Sequence, residues 1–549
     1  MAKPKLALIP AAQGDKFYSV LPSDGVGDFD FTRNSSATRI APTGFIEEVG
    51  AFGSELVTNG NFDNNSDWSL GSGWSISGGL AVGTSASGNL QQNIGAVAGK
   101  KYKLTFNVTA YTSGSLSVDL GGASAQTTSS VGLKTFNFTA TSTGNLRFYG
   151  GSFSGSIDNV SVVEVVGNKS RLDYDLLNGK VVNCPHYLLE PASTNIIPYS
   201  EDLTQATIWT PTRCNITANQ ITSPDGALNA DLLTVTDGSI ENYVQTSALT
   251  VSGTKQTASF FVKKGTSDFC HILLWDTSND GARQWFDLNN GIVGTSTTFG
   301  SGVSVDSAQI INYGNDWFRC IAVFNNSNTT VRFRMSASNS NGGTTSTIGK
   351  TIYIWGAQLE VSSYPTSYIP TNGTAITRAA ETANGSGNAA TFNDSEGVLM
   401  AEIAALADDS SLRTITIGDN SSANAVSIRV DNANQIVAYV NSGGSNQCSF
   451  TSSVPTSLFN KCLIKYKAND FSAWVNGFKI GVDTSGIIFP SGTLNRLNFD
   501  IGYSSTSAFY GKTREVQYFD SVLTDAQLET LTSWTSLQEM ITSQLYTNY

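Results

Sequence analysis

Along much of this chain apolar and polar side chains alternate residue by residue, a period that only an extended strand with one buried face satisfies. In KKYKLTFNVTAY, the residues Tyr102, Leu104, Phe106, Val108 and Ala110 alternate with polar ones, which places all five on one sheet face. The same period runs through Val331, Phe333, Met335 and Ala337, with Arg332 and Arg334 facing the other way, and through Cys462, Ile464, Tyr466 and Ala468. Each segment reads as a half-buried strand of an antiparallel sheet. In SAWVNGFKIGV, Asn476-Gly477 separates two apolar runs and predicts a two-residue hairpin, because both positions tolerate positive φ.

Composition agrees with that period. Hydrophobic residues make up 40% of the 549 residues and charged residues only 14%, with Gly, Ser, Thr and Asn dominating the rest. This suits short strands joined by polar turns and disfavours long charged helices. The 28 Phe, 19 Tyr and 9 Trp supply apolar surface that a disordered chain lacks. A chain this long exceeds one core, so about three or four domains are expected. The net charge of −12, with no basic run, argues against nucleic acid as a partner, since duplex binding needs clustered cations to displace counterions. No apolar stretch approaches the roughly 18–20 residues that span a bilayer, so no membrane insertion is expected. The opening MAKPKLALIPAAQGDKF is interrupted by Pro10, Gln13 and Gly14 too early for a signal-peptide core. Work outside a cell would then need a route other than the usual export path, and release by lysis would supply one.

An internal duplication organises the chain. One copy opens with ELVTNGNFDNNSDWSLGSGWSI and closes with GSIDNVSVVEV; the second opens with NIIPYSEDLTQATIWTPTRCNI and closes with GKTIYIWGAQLEV. Each runs from an apolar strand through a polar loop to a Trp-containing strand (Trp74, Trp209), and each ends in a strand suited to lie beside the first. Such an arrangement describes a jelly-roll sandwich. The fold class expected is all-β, with these boundaries: a leader at 1–50, a first, inserted jelly-roll sandwich at 51–167, a connector at 168–195, a second sandwich at 196–375, a polar linker at 376–397, and a third β unit at 398–549. Thr524, Asp525 and Gln527 form a capping box, after which Leu528, Leu531, Trp534, Leu537, Ile541 and Leu545 recur at helical spacing, so the chain is expected to end in a helix.

Several segments resemble modular structural proteins of tailed bacteriophages. The opening KPKLALIPAAQGDKFYSVLPSDGVGDFDFTRNSSATRI, the TGFIEEV hairpin and SRLDYD…CPHYLLEPASTNIIPYSEDL are similar to that group, as is the junction YPTSYIPTNGTAITRAAET. FSAWVNGFKIG and TREVQYFDSVLTDAQLETL resemble the late strands and final helix of a laminin-G/concanavalin-like domain. The two sandwiches are similar to jelly-roll carbohydrate-binding modules. The resemblance implies a virion appendage subunit of tail-fibre type, not an enzyme, whose leader (1–50) meets other virion proteins and whose sandwiches meet host-surface glycan. Self-association as a trimer is implied by analogy with phage fibres. A head fibre, decoration or tail-hub protein without receptor specificity is the alternative reading, and a polysaccharide depolymerase a further one.

Candidate chemistry is sparse. His186 and His271 are the only two imidazoles, and neither accompanies a GxSxG nucleophile elbow. Six Cys without CxxC pairs read as buried free thiols. Carboxylates such as Asp24, Asp237, Asp280 and Asp409 sit in turn sequences rather than as an evident glycosidase pair. No cofactor is required. A structural calcium ion is the one metal considered, at Asp158 with Asp63 and Asn61, against an alternative of plain Asx-turn hydrogen bonding. For sugar binding, Trp74, Trp209, Trp355 and Trp474 read as core, while Tyr243, Trp275 and Trp285 flank polar loops and are the candidate stacking residues, with core packing as the alternative.

Overall fold

The computed structural model describes residues 3–11, 14–50, 52–166, 169–276, 280–504, 507–535 and 539. Its elements are antiparallel strands and, among the described residues, one helix, Asp525–Thr532. The first sandwich is built on two long bent strands, Lys101–Leu120 and Gly144–Val165, which pair along nearly their whole length and pass through several bulges. Tyr102, Leu104, Phe106 and Val108 are buried as their alternation requires. Ala110 is exposed instead: the register shifts between Val108 and Ala110, and one extra residue turns the following side chains to the other face.

The second sandwich stacks two sheets over a core that includes Phe260, Ile272, Phe333 and Ile354. One sheet contains, in spatial order, Trp209–Thr212, Tyr243–Thr246, Thr330–Ser338, Phe269–Trp275, Gly281–Asp287 and Ile292–Phe299. The facing sheet is centred on Thr351–Glu360 and Lys255–Lys264. In both sandwiches the opening segment lies beside the closing strand: Leu56 N–H donates to Val162 O at 2.9 Å, and Ile196 N–H to Leu359 O at 2.9 Å.

The third unit pairs a nine-stranded sheet with a five-stranded one. Asn476 and Gly477, with φ of 51° and 85°, make the expected turn between Phe471–Val475 and Phe478–Asp483. The strand Asn460–Lys467 stops before Ala468, which lies exposed in the turn that follows. Its second face is covered too: Leu463 and Trp474 pack against Leu528 of the helix. The capping box at Thr524 forms as read, but the helix ends at Ser533, whose ψ of 153° is extended, so Trp534 is not helical. Leu537, Ile541 and Leu545 lie outside the described residues.

The leader, connector and linker are woven into this third unit. Leu6–Leu8 pairs with Tyr518–Val516, and His186–Leu189 with the start of the same strand. Thr382–Asn384 of the linker pairs with Phe29–Thr32 of the leader, and Phe17, Phe29, Phe31 and Tyr187 enter the core of the third unit. Segment 376–397, read from its Gly and Ala content as a polar linker, thus carries strands and buried residues including Arg378, Glu381 and Phe392. At the junction a fully buried network joins Arg33, Arg171 and Arg378 to Glu190 and Glu381. Burial favours a neutral Glu190, but Arg378 and Arg171 outweigh it and pull its pKa down to about 2. Carboxylates buried among guanidiniums in this way fix geometry, because any slip would break a buried pair.

Candidate functional site

The outward face of the larger sheet of the second sandwich gathers the aromatic and charged side chains that the core excludes. Cys270, Ile272 and Leu274 point inward, so His271, Leu273 and Trp275 point out. On the neighbouring strand Phe333 and Met335 point inward, leaving Arg332 and Arg334 outward. The register sets Arg332 opposite Trp275, and Gln245, Arg334, Leu273 and Arg283 in one row across four strands.

Arg334 is held between two rings. Its guanidinium carbon lies 3.8 Å from the Tyr243 ring centre and 4.4 Å from that of Trp275, and Arg332 approaches Trp275 at 5.6 Å. Arg283 covers Phe299 at 4.9 Å. Such cation–π stacking orders long side chains that would otherwise sample many rotamers. Opposite Trp275 stands Gly281, where a Cβ would come within 2.5 Å of the Phe299 ring and 2.7 Å of the Trp275 Cβ; only glycine lets these two side chains approach this closely.

Glu241 anchors the cluster. It accepts from Arg283 Nε and Nη2, both at 3.1 Å, and from Arg334 Nη1 at 3.2 Å, with His271 Nε2 3.0 Å away. Burial opposes its charge, yet the bonds to His271 and Arg283 prevail and lower its pKa to about 2. Burial pushes the His271 pKa down, against the pull of Glu241. Gln245 Oε1 accepts from Trp275 Nε1 at 3.1 Å and also from Arg334 Nε, fixing the indole.

The three aromatic candidates read from the sequence therefore part company. Tyr243 and Trp275 are half-buried. Trp285 is 1% exposed, with its Nε1 donating to Gly343 O at 2.7 Å, and it packs 5.2 Å from His271. A loop around residues 339–346 closes over that end. Sequence reasoning did not single out Glu241, Gln245 or Arg283; the outward pair Arg332/Arg334 was the available signal.

At the rim of the first sandwich, Asn61 donates to Asp63 at 2.5 Å and Asp158 accepts from the Asn159 amide at 2.7 Å. The two segments adjoin, since Val160 N–H donates to Gly60 O at 2.8 Å. Among the described residues, no group of three or more His, Cys, Asp or Glu is placed to hold a metal ion. All six cysteines are free thiols; Cys184 is half-buried and the others buried, and burial raises the Cys214 pKa to about 11. His186 is buried beside Asp173 and Asp175, at 3.3 and 3.7 Å.

A cleft of about 980 Å³ separates the second sandwich from the junction and the third unit. Its carboxylates have partners: Asp175 is paired with Lys512 and Arg514, Asp306 with Lys255 at 2.6 Å, and Asp409 with Arg413 at 2.7 Å. Asp175 is buried, which favours its neutral form, but Lys512, His186 and Arg514 hold its pKa well below the usual carboxylate range. A general acid needs the opposite shift.

Fold and face together define an all-β chain of sandwiches with a concanavalin-like C-terminal domain. Residues 401–529 match the family model described as the concanavalin A-like lectin/glucanases superfamily. No curated protein matches the chain. Among solved structures, the CBM40 domain of Ruminococcus gnavus IT-sialidase bound to α2,3-sialyllactose aligns at 16% identity over 27% of this chain and 94% of its own, with a TM-score of 0.24. The tandem CBM22 domains of Paenibacillus barcinonensis Xyn10C align at 11% identity over 57% and 100%, with a TM-score of 0.20. A mutant Trypanosoma rangeli sialidase aligns at 10% identity over 94% and 99%, with a TM-score of 0.23. Similarity at this level carries no functional argument.

Proposed function

We propose that this chain is a non-catalytic glycan-binding protein, displayed as an appendage subunit of a tailed-phage particle, and that the outward face of its second sandwich is the binding surface. The observation that carries the glycan reading is the pair of half-buried rings, Tyr243 and Trp275, fixed by Arg334 and Gln245 on the outward sheet face. Sugar C–H faces stack on such rings, and a ring already held in place loses little entropy on binding. The phage setting rests on the leader, junction and late-strand segments that resemble phage structural proteins. In a trimer, weak sites would gain avidity of about 10²–10⁴ from repetition alone.

The leader's apolar residues are largely taken up by the concanavalin-like core, so contact with other virion proteins falls to its exposed side chains, Ile9, Val20 and Phe45. That feature equally suits a structural or decorating subunit, the second reading. A glycan array probed with the full chain separates the two. Signal lost in both Tyr243→Ala and Trp275→Ala supports the binding protein; uniform silence supports decoration. Release of reducing ends from host envelope material would instead establish a depolymerase.

A further inference from the structure

The same face carries a charge opposite to that of the protein. The whole chain has a net charge of −12, yet Arg283, Arg332 and Arg334 converge here against one carboxylate, Glu241. Two further acids, Asp276 and Asp280, lie at the edge of the sheet. Asp280 accepts from the Ser301 and Gly302 amides at 3.1 and 3.0 Å, and Asp276 accepts from the Asp280 amide at 2.8 Å, so both serve the loops at the edge of the sheet. Burial and the neighbouring Arg283 and Arg332 depress the Arg334 pKa, while Tyr243 and Glu241 pull it up, as expected where guanidiniums crowd one another.

Arg332 differs from the other two. Arg283 and Arg334 each donate to Glu241, whereas the Arg332 side chain has no hydrogen bond or ion pair among the described residues, and its Nε is buried without a partner. A guanidinium stacked on Trp275 but lacking an acceptor is held in position for an anion from outside. Structural salt bridging does not account for that surplus.

Resting on the glycan reading above, we infer that this face binds a carboxylated sugar, with Arg332 receiving the carboxylate and Tyr243 and Trp275 receiving the sugar ring. A planar carboxylate matches the guanidinium fork in two parallel hydrogen bonds, and the sugar ring supplies the apolar contact that a free anion lacks. Glu241 offsets one of the three guanidiniums, and a single carboxylate on Arg332 would offset a second.

The test uses the full chain against immobilised polymers of equal length: a hexuronic acid polymer, a neutral glucan and a sulfated glucan. We expect retention on the uronate, weakened at least about tenfold in Arg332→Gln and partly restored in Arg332→Lys, with unchanged thermal midpoints. Trp275→Ala should lose binding as well. Retention on the neutral glucan alone, abolished by Trp275→Ala, would overturn the carboxylate inference and leave the glycan reading standing. Silence on all three polymers would overturn both. Equal retention on sulfated and carboxylated polymers, or uronate binding indifferent to Arg332→Gln, would also overturn the inference.

Discussion

Replacing Glu381 by Gln removes a buried carboxylate with four donors around it while leaving its shape almost unchanged. Arg33 Nη1 reaches it at 2.6 Å, Arg171 Nε at 2.9 Å, and the Glu190 amide at 2.8 Å; Arg171 Nη2 completes the set. Arg33, Arg171, Glu190 and Glu381 are all at most 3% exposed, so water cannot take over the lost contacts. The variant would face three guanidiniums with Glu190 as the remaining carboxylate. Breaking a buried pair by deleting one partner costs about 3–5 kcal/mol, much of it from the charge left behind. Hydrogen exchange reads that cost where the segments meet, at the Ser170 amide, which donates to Gly14 O at 2.7 Å, and the Gly387 amide, which donates to Val26 O at 2.8 Å. Both should exchange about 10²–10⁴-fold faster if the junction opens as a unit. Glu396→Gln is the control, because its pair with Lys467 at 2.7 Å is partly exposed and is worth at most about 1 kcal/mol. Protection at both junction amides that stays within about threefold of wild type would refute the claim that Glu381 holds leader, connector and linker together.

Other consequences can be measured separately. Asp231 is buried, and burial together with Asp202 raises its pKa to about 7. The folded protein thus holds a proton there that the unfolded chain releases near pH 4, so this contribution is full in acid and is lost as pH rises through 7. Asp231→Asn should gain in thermal midpoint relative to wild type between pH 5 and pH 8, and a relative loss would contradict the assignment. Thr524→Ala removes the cap of helix Asp525–Thr532 and should weaken exchange protection there by about 1 kcal/mol; no change would mean that Leu528 packing alone holds the helix. Addition of EDTA should leave the unfolding midpoint unchanged, since Asn61, Asp63 and Asp158 already have protein partners. A fall that calcium reverses, and that Asp158→Asn abolishes, would place an ion at that rim.

Periodicity carried the fold a long way. Alternation at 331–337 identified both the core residues and the outward arginines, and Asn476-Gly477 located its hairpin, because these signals depend on nearest neighbours alone. Ala110 escaped the same logic because a bulge is a local slip that leaves no mark in the apolar pattern. The junction was hidden for a different reason: Arg33, Arg171, Arg378, Glu190 and Glu381 look like ordinary surface charges until distant segments converge on them. The candidate site was half legible. Tyr243 and Trp275 could be selected as aromatics near polar loops, but Trp285 was indistinguishable from them until the loop around 339–346 was seen to close over it. Glu241 and Arg283, on separate strands, acquire a shared role only through the register of the sheet.

The pairing of Leu6–Leu8 with Val516–Tyr518 also bears on how the protein is made. These partners lie at opposite ends of the sequence, and translation proceeds at about 5–20 residues per second, so the first strand waits on the order of half a minute or longer for its mate. Meanwhile Leu6, Leu8, Phe17, Phe29 and Phe31 have no permanent cover. Both sandwiches can close while the ribosome is still at work, whereas the sheet that unites leader and tail forms last. A nascent chain truncated before residue 511 would therefore present folded lobes on an open, adhesive seam, the species that chaperones should recognise.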